Sequence, residues 1–120
     1  MELEKAAKAL AHENRLRILN LLRKQSLCVC ELRNIMGINQ SNASRHLKKL
    51  KNAGLIDYDK KAQWVYYKLN EEQIERYNFL KVLIEEDFDR EEMLKDDLDN
   101  LKLYQNSEVE CDGLDEAELF

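Results

Sequence analysis

The chain of 120 residues has no proline and only three glycines, so few positions interrupt a helix. Its three cysteines are too few, and odd in number, for a disulfide framework, and we expect them to be reduced. The sequence also lacks the long apolar run of a membrane span, and the residues from Met1 to Lys5 lack the apolar segment of a secretory signal. We therefore expect a small, helix-rich, cytoplasmic protein without a membrane partner.

The net charge of −5 conceals a strong division along the chain. Residues 1–70 carry 14 Lys and Arg against 6 Asp and Glu, whereas residues 71–120 carry 5 against 18. The first segment can therefore form a basic surface that attracts nucleic-acid phosphates. The acidic segment would orient the protein by repelling the same phosphates.

Apolar periodicity and helix-ending residues predict four helices in the first half of the chain. A short helix rich in alanine and lysine covers residues 2–10, and a buried helix follows with Asn14 as its N-cap. Ser26 is a candidate N-cap for a third helix, which Gly37 ends. The fourth helix covers residues 40–53. Two helices joined by a short glycine-containing turn make a helix-turn-helix.

Two runs rich in β-branched and aromatic residues follow, at 55–59 and 64–69, and a short loop separates them. Asn70 is expected to cap one long helix, and residues 105–120 to form an acidic, mobile tail. The expected fold is mainly α with a small β-hairpin, in the order α-α-α-α-β-β-α. It is a winged helix-turn-helix domain at residues 1–104.

The fourth helix has the side chains of a helix that reads DNA in the major groove. Polar and basic groups near its start can reach base edges, and its later lysines suit phosphate contacts. The candidate base-reading residues are Gln40, Ser41, Asn42, Ser44, Arg45 and His46. The candidate backbone contacts are Lys48, Lys49 and Lys51 on the helix and Lys60, Lys61 and Gln63 at the hairpin tip. For His46 the alternative is that its ring packs and hydrogen-bonds beside the helix.

Two thiols, Cys28 and Cys30, stand two residues apart at the expected start of the third helix. Thiolates bind soft ions, and a helix N-terminus lowers the pKa of a thiol and so favours the thiolate. Positions i and i+2 lie about 200° apart on a regular helix, so both thiols face one ion only if the first turn is distorted. The alternative is that both are small apolar core residues.

Residues 8–69 resemble the ArsR/SmtB family of bacterial winged-helix regulators. The matching segments are Ala9–His12 with Asn14–Leu19, Leu27–Leu32, Gln40–Leu47, Ala53–Ile56 and Trp64–Leu69. The resemblance implies a homodimer that binds double-stranded operator DNA and represses a metal- or metalloid-resistance operon. It also implies that the dimer forms through the first and last helices. The Cys-Val-Cys element marks members that sense arsenite or thiophilic cations.

The same resemblance implies As(III), or Sb(III), as an inducer that binds cysteine thiolates and releases the DNA, with no organic cofactor. Arsenite sensors with a compact three-thiol site carry a third cysteine where this chain has Arg33. Cadmium and lead sensors often add cysteines near the N-terminus, which this chain lacks. Cys111, in the tail, is therefore the candidate third ligand beside Cys28 and Cys30.

Other functions stay open from the sequence. One is a repressor of the same family that responds to Cd(II), to Pb(II) or to oxidation of the thiol pair. Another, from a different class, is a metal-sequestering protein that does not regulate transcription. An enzyme is not expected, because three cysteines and two histidines offer no nucleophile, base and orienting group at a recognisable spacing.

Overall fold

The computed structural model describes residues 1–107. Within them the chain forms seven α-helices, one 3-10 helix and a two-stranded antiparallel hairpin. The mainly helical fold with one hairpin is thus confirmed. The elements are α1 (Glu2–Ala9), α2 (Glu13–Leu22), α3 (Val29–Met36), α4 (Gln40–Asn52), β1 (Ile56–Lys61), β2 (Trp64–Leu69), α5 (Glu71–Arg76), α6 (Asn78–Glu85), a 3-10 helix (Asp87–Arg90) and α7 (Glu92–Gln105).

Helices α2, α3 and α4 enclose the centre of the hydrophobic core. Leu19, Leu32 and Leu47, one from each helix, are at most 1% exposed. Gly37 ends α3 in the left-handed conformation, with φ 70°, which allows the chain to turn directly into α4. The helix, glycine turn and helix therefore lie where the sequence predicts them.

Two helices begin at other residues than the sequence predicted. His12, not Asn14, is the N-cap of α2, and its Nδ1 accepts a hydrogen bond from the Asn14 N–H at 3.1 Å. Cys28, not Ser26, is the N-cap of α3. Imidazole nitrogen and thiol sulfur are acceptors here in place of the usual Ser, Thr, Asp or Asn oxygen, so a search for oxygen-bearing caps passes over both.

The hairpin has a tighter turn than expected. Lys61 pairs with Trp64, so the turn contains only Ala62 and Gln63, and Ala62 takes the left-handed conformation with φ 56°. Lys60 and Lys61 thus belong to the end of β1 rather than to the loop. Because both strands continue to the turn, the two cations are held on a paired backbone close to the tip.

The sequence predicted one long C-terminal helix whose apolar stripe is broken by acidic residues 87–92. The chain instead breaks the helix itself twice. Tyr77 is extended, with φ −118° and ψ 112°, and a second interruption at residues 86–91 contains the 3-10 helix. A continuous helix over residues 71–105 would be about 52 Å long, longer than the largest extent of the protein, 42 Å. The breaks fold its apolar stripe back onto the core.

Helix α7 is attached to α2 by polar groups that are mostly buried, and one of them, an arginine, also bonds the end of α3. The Arg17 guanidinium donates to both carboxylate oxygens of Asp97, at 2.7 and 2.8 Å, and to the backbone oxygen of Met36 at 2.9 Å. Asn20 donates to the backbone oxygen of Leu94 at 2.9 Å. A two-pronged pair of this kind fixes orientation as well as distance, so α7 has one defined position against the core.

In this position the inner apolar side chains of α7 are buried within the monomer. Leu94 and Leu101 are 6% and 3% exposed because they pack into the core of the same chain. Exposed apolar side chains remain on α1, with Leu3 at 43%, and on α6, with Phe79 and Val82 at 42% and 37%. Helix α7 also keeps two of them on its outer face, Met93 at 45% and Leu103 at 60%.

Asp97→Ala should lower the free energy of unfolding by about 3 kcal/mol, because it leaves the mostly buried Arg17 guanidinium without its counter-charge. Chemical denaturation followed by circular dichroism measures the change. Asp99→Ala, on the exposed side of the same helix, is the matched control and should change stability by less than about 0.5 kcal/mol. Equal losses in the two variants would contradict the role given to the Arg17–Asp97 pair.

Candidate DNA-binding surface and thiol site

Helix α4 presents one polar and basic face to solvent. Asn39 caps its start, with its Oδ1 accepting from the Asn42 N–H at 2.8 Å. Arg45 donates to Asn42 Oδ1 at 2.9 Å, so the guanidinium is held beside the first turn. The predicted contact residues that are exposed on this helix are Gln40, Ser41, Ser44, Arg45, Lys48, Lys49 and Lys51, and Asn42 is half-buried.

His46 does not lie on this face, which corrects its place among the DNA-contacting residues. Its side chain is 2% exposed and its ring packs 4.3 Å from the ring of His12. Arg15 Nη1 lies 3.5 Å from its Nδ1. The structure assigns His46 to packing between α4 and α2, the alternative considered above.

Burial, and then the neighbouring charges of His12, Arg15, Arg45 and Lys49, lower the pKa of His46 from 6.5 to about 4. Each of these neighbours disfavours a positive charge on the imidazole, and burial removes the water that would solvate it. His46 is therefore neutral in the folded protein at pH 7. The unfolded chain binds its proton more readily than the folded protein does.

Because the pKa is lower in the folded state, stability should fall as pH decreases from about 6.5 to about 4. The contribution of His46 to this loss is at most about 3 kcal/mol. Denaturation at pH 7, 6, 5 and 4.5 (roughly the range of the two pKa values) measures it in the wild type and in His46→Gln. The wild type should lose more stability than the variant, and parallel pH profiles would show that His46 does not titrate in this way.

The hairpin tip extends the basic surface of α4. Lys60, Lys61 and Gln63 are all exposed, as the predicted backbone contacts require. The Lys61 ammonium lies 5.8 Å from the centre of the Tyr66 ring, and the Lys51 ammonium lies 5.1 Å from that of Tyr58. Such cation–π contacts restrain long side chains without neutralising them, so the charges remain available to an anion.

The thiol segment forms the first turn of α3. Cys28 is buried, with 3% exposure, and is a free thiol. Cys30 is half-buried and disulfide-bonded, which corrects the expectation that it is reduced. The Cys28 N–H donates to Glu31 Oε1 at 2.9 Å, and the backbone N–H groups of Glu31 and Cys30 point at the Cys28 sulfur, which together form a capping box. The sulfur thus occupies the place that a serine oxygen usually has.

The expectation that the helix N-terminus lowers the pKa of this thiol is corrected at Cys28. Burial, together with the Glu31 carboxylate, raises the pKa of the Cys28 thiol to about 11, and the two backbone N–H donors only partly offset these effects. Desolvation therefore outweighs the helix N-terminus. Cys28 is a neutral thiol at pH 7, and an ion that binds it must displace its proton.

Two further contacts join this turn to distant parts of the chain. Leu27 forms an isolated β-bridge with Tyr67 of β2, with nitrogen-to-oxygen distances of 3.1 Å from Leu27 to Tyr67 and 2.8 Å from Tyr67 to Leu27. The Tyr104 hydroxyl, on α7, donates to Glu31 Oε2, and the Tyr104 pKa is raised, first by burial and then by this carboxylate. The thiol turn is thus bonded both to the hairpin and to the last helix.

The sequence prediction did not include Leu27, Glu31, Tyr67 or Tyr104 among the site residues. One of them had a readable signal, since Cys28-x-x-Glu31 has the spacing of a capping box. Tyr104 had none, because its partner is 73 positions away. Cys111, the predicted third ligand, lies outside the described residues. Within residues 1–107, no group of three or more His, Cys, Asp or Glu side chains is placed to hold a metal ion.

Helices α3 and α4 are joined by a short turn, and α4 exposes a polar face. The basic hairpin is bonded to the segment before α3. These features together define a winged helix-turn-helix protein. No helix within the described part of the chain is long and apolar enough to cross a membrane. A family model described as "Bacterial regulatory protein, arsR family" matches residues 12–58. The chain belongs to this arsR family of bacterial regulators, in agreement with the resemblance found in the sequence.

Relatives and solved structures of similar sequence agree with this family. The chain is 43% identical over 72 residues to the arsenical resistance operon repressor of Bacillus subtilis, covering 59% of this chain and 69% of that protein. It is 38% identical over 77 residues to a cadmium resistance transcriptional regulatory protein CadC homolog of Staphylococcus aureus, covering 63% of this chain and 64% of that one. The chain therefore spans only about two thirds of these relatives.

One solved structure of similar sequence shows how a related domain assembles. The homodimeric winged helix-turn-helix DNA-binding domain of a Mycobacterium bovis protein matches with a TM-score of 0.61 and 30% identity. The match covers 71% of this chain and 80% of that one. The comparison leaves nearly a third of this chain without a counterpart.

Proposed function

We propose that this protein is a cytoplasmic homodimeric repressor that binds operator DNA of a metal- or metalloid-resistance operon. Arsenite, or antimonite, binds its thiolates and releases the DNA. The observation that carries the proposal is the position of Cys28, between Leu27, which is bonded to the hairpin, and α3, which packs directly before α4. A ligand at the thiols therefore acts at the junction of both DNA-contacting parts.

The ligands of the inducer are Cys28, Cys30 and Cys111, with Cys111 included because a trivalent soft ion favours three thiolates. Binding at Cys28 replaces a proton on a buried sulfur, so the sulfur must move outward or the first turn of α3 must open. Either movement strains the Cys28 N–H bond to Glu31 and the neighbouring Leu27–Tyr67 bridge. The hairpin and α4 then leave the spacing that the operator requires.

The dimer is proposed to form through α1 and α6. Leu3, Phe79 and Val82 are exposed apolar side chains on these two helices. Helix α7 also exposes Met93 and Leu103, but its opposite face is attached to the core of its own chain. Symmetric pairing would place two copies of α4 on a palindromic operator. The homodimer of the M. bovis domain supports this arrangement.

Cadmium, lead and thiol oxidation remain the second candidate for the signal, supported by the similarity to a relative named for cadmium resistance. A gel-shift with DNA from upstream of the gene, in the presence of arsenite, Cd(II), Pb(II), Zn(II) or diamide, distinguishes these inducers. A protein that sequesters metal without regulating transcription would bind the ion but would not shift this DNA.

Arg45→Ala should weaken operator binding by about 1–3 kcal/mol and should affect a random duplex much less, because Arg45 is exposed on the face that would read bases. Lys60→Ala with Lys61→Ala should instead weaken both duplexes and reduce the salt dependence. Fluorescence anisotropy measures both effects. Arg90→Ala, an exposed arginine on the 3-10 helix, is the control for lost charge. If Arg45→Ala weakens both duplexes equally, Arg45 contacts phosphate rather than bases.

Cys28→Ser and Cys30→Ser should bind the operator like the wild type but stay bound when arsenite is added. Serine is a good N-cap, so Cys28→Ser should preserve the start of α3. Cys111→Ser should weaken arsenite binding and remove one sulfur from the coordination shell seen by X-ray absorption. Full affinity and full release in Cys111→Ser would reduce the site to two thiols. Release of Cys28→Ser by arsenite would remove Cys28 from the site.

A further inference from the structure

A basic cleft of about 420 Å³ lies between α1 and the C-terminal half of α4. It is separate from the hairpin tip and from the thiol turn. Its charged lining residues are Lys5, Lys8, Arg15 and Lys49, and Asn52 adds an uncharged amide. Among the described residues that line it, none is acidic. Four cations around one opening favour an anionic ligand with several charges.

One of the four cations is fixed in place by hydrogen bonds, and the other three are exposed. Arg15 Nε donates to the backbone oxygen of Ala9 at 2.6 Å, and its Nη1 reaches His46, so its guanidinium is held at the base of the cleft. Lys5, Lys8 and Lys49 are exposed. Lys8 lies 3.6 Å from Glu4, but both side chains are more than half exposed, so this pair is weak and exchangeable.

The cleft continues the surface that carries the base-reading residues. Lys49 lies one helical turn after Arg45 on α4, and positions four apart share a face of a helix. A duplex whose major groove holds the start of α4 passes its backbone beside the end of the same helix. The positive charges of Arg15, Arg45 and Lys49 also act on His46, because they lower its pKa in part.

We propose that this cleft binds the sugar-phosphate backbone of the operator at the flank of the recognition helix, with Lys5 and Lys8 of α1 as phosphate contacts. This inference rests on the proposed DNA-binding function and adds α1 to the DNA surface. The contacts are independent of base sequence, so they contribute equally to operator and random duplexes.

The test is the salt dependence of DNA binding by Lys5→Gln/Lys8→Gln, measured by fluorescence anisotropy between about 50 and 200 mM salt. The slope of log affinity against log salt should become shallower by about 0.9 for each lost phosphate contact, on both duplexes. Lys95→Gln/Lys102→Gln removes the same charge from exposed positions on α7 and should leave the slope unchanged. Asn52→Asp, which adds a carboxylate to the cleft from α4, should weaken both duplexes without altering α1.

Wild-type slopes in both Lys5→Gln/Lys8→Gln and Asn52→Asp would overturn the inference while leaving operator binding by the wild type intact. A shallower slope in Lys95→Gln/Lys102→Gln as well would also overturn it, because the effect would then come from net charge. A wild-type protein that binds no duplex at all would overturn the proposed function together with this inference. Analytical sedimentation of each variant confirms that assembly is unchanged.

Discussion

The first turn of α3 is held from three sides, and the rest of the proposed function depends on it. Leu27 is bonded to β2 through two backbone hydrogen bonds, the Cys28 N–H is bonded to Glu31, and Glu31 accepts from Tyr104 on α7. Because Tyr67 and Tyr104 belong to β2 and α7, a displacement of the Cys28 sulfur also disturbs contacts with two other elements. Packed interfaces respond to such changes by shifting between arrangements rather than by deforming gradually.

Burial of Cys28 has a chemical consequence for the inducer. With a pKa of about 11, the sulfur carries its proton at neutral pH, so binding an ion releases a proton and disrupts close packing. Only an ion that forms strong bonds to sulfur offsets both costs. On the proposed function, this burial favours soft ions such as arsenite over harder divalent cations, and it links binding directly to distortion of α3.

The local parts of this fold were predictable, and the parts that depend on distant contacts were not. Gly37 and the polar residues from Gln40 mark the helix-turn-helix because their signals are periodic and adjacent in sequence. The break at Tyr77 and the attachment of α7 through Asp97 depend on how the C-terminal segment packs against core residues that are distant in sequence. His46 shows the same limit, because its sequence neighbours are those of an exposed helix while its environment is set by α2.

On the proposed function, inducer binding at the thiols and operator binding are coupled through α3. Such coupling is reciprocal, so the operator must weaken arsenite binding by the same factor by which arsenite weakens operator binding. Calorimetric titration of arsenite into the free protein and into the protein–operator complex measures this factor directly. We expect weaker arsenite binding in the complex, by a factor equal to the loss of DNA affinity. Equal arsenite affinity in the two states would contradict the account.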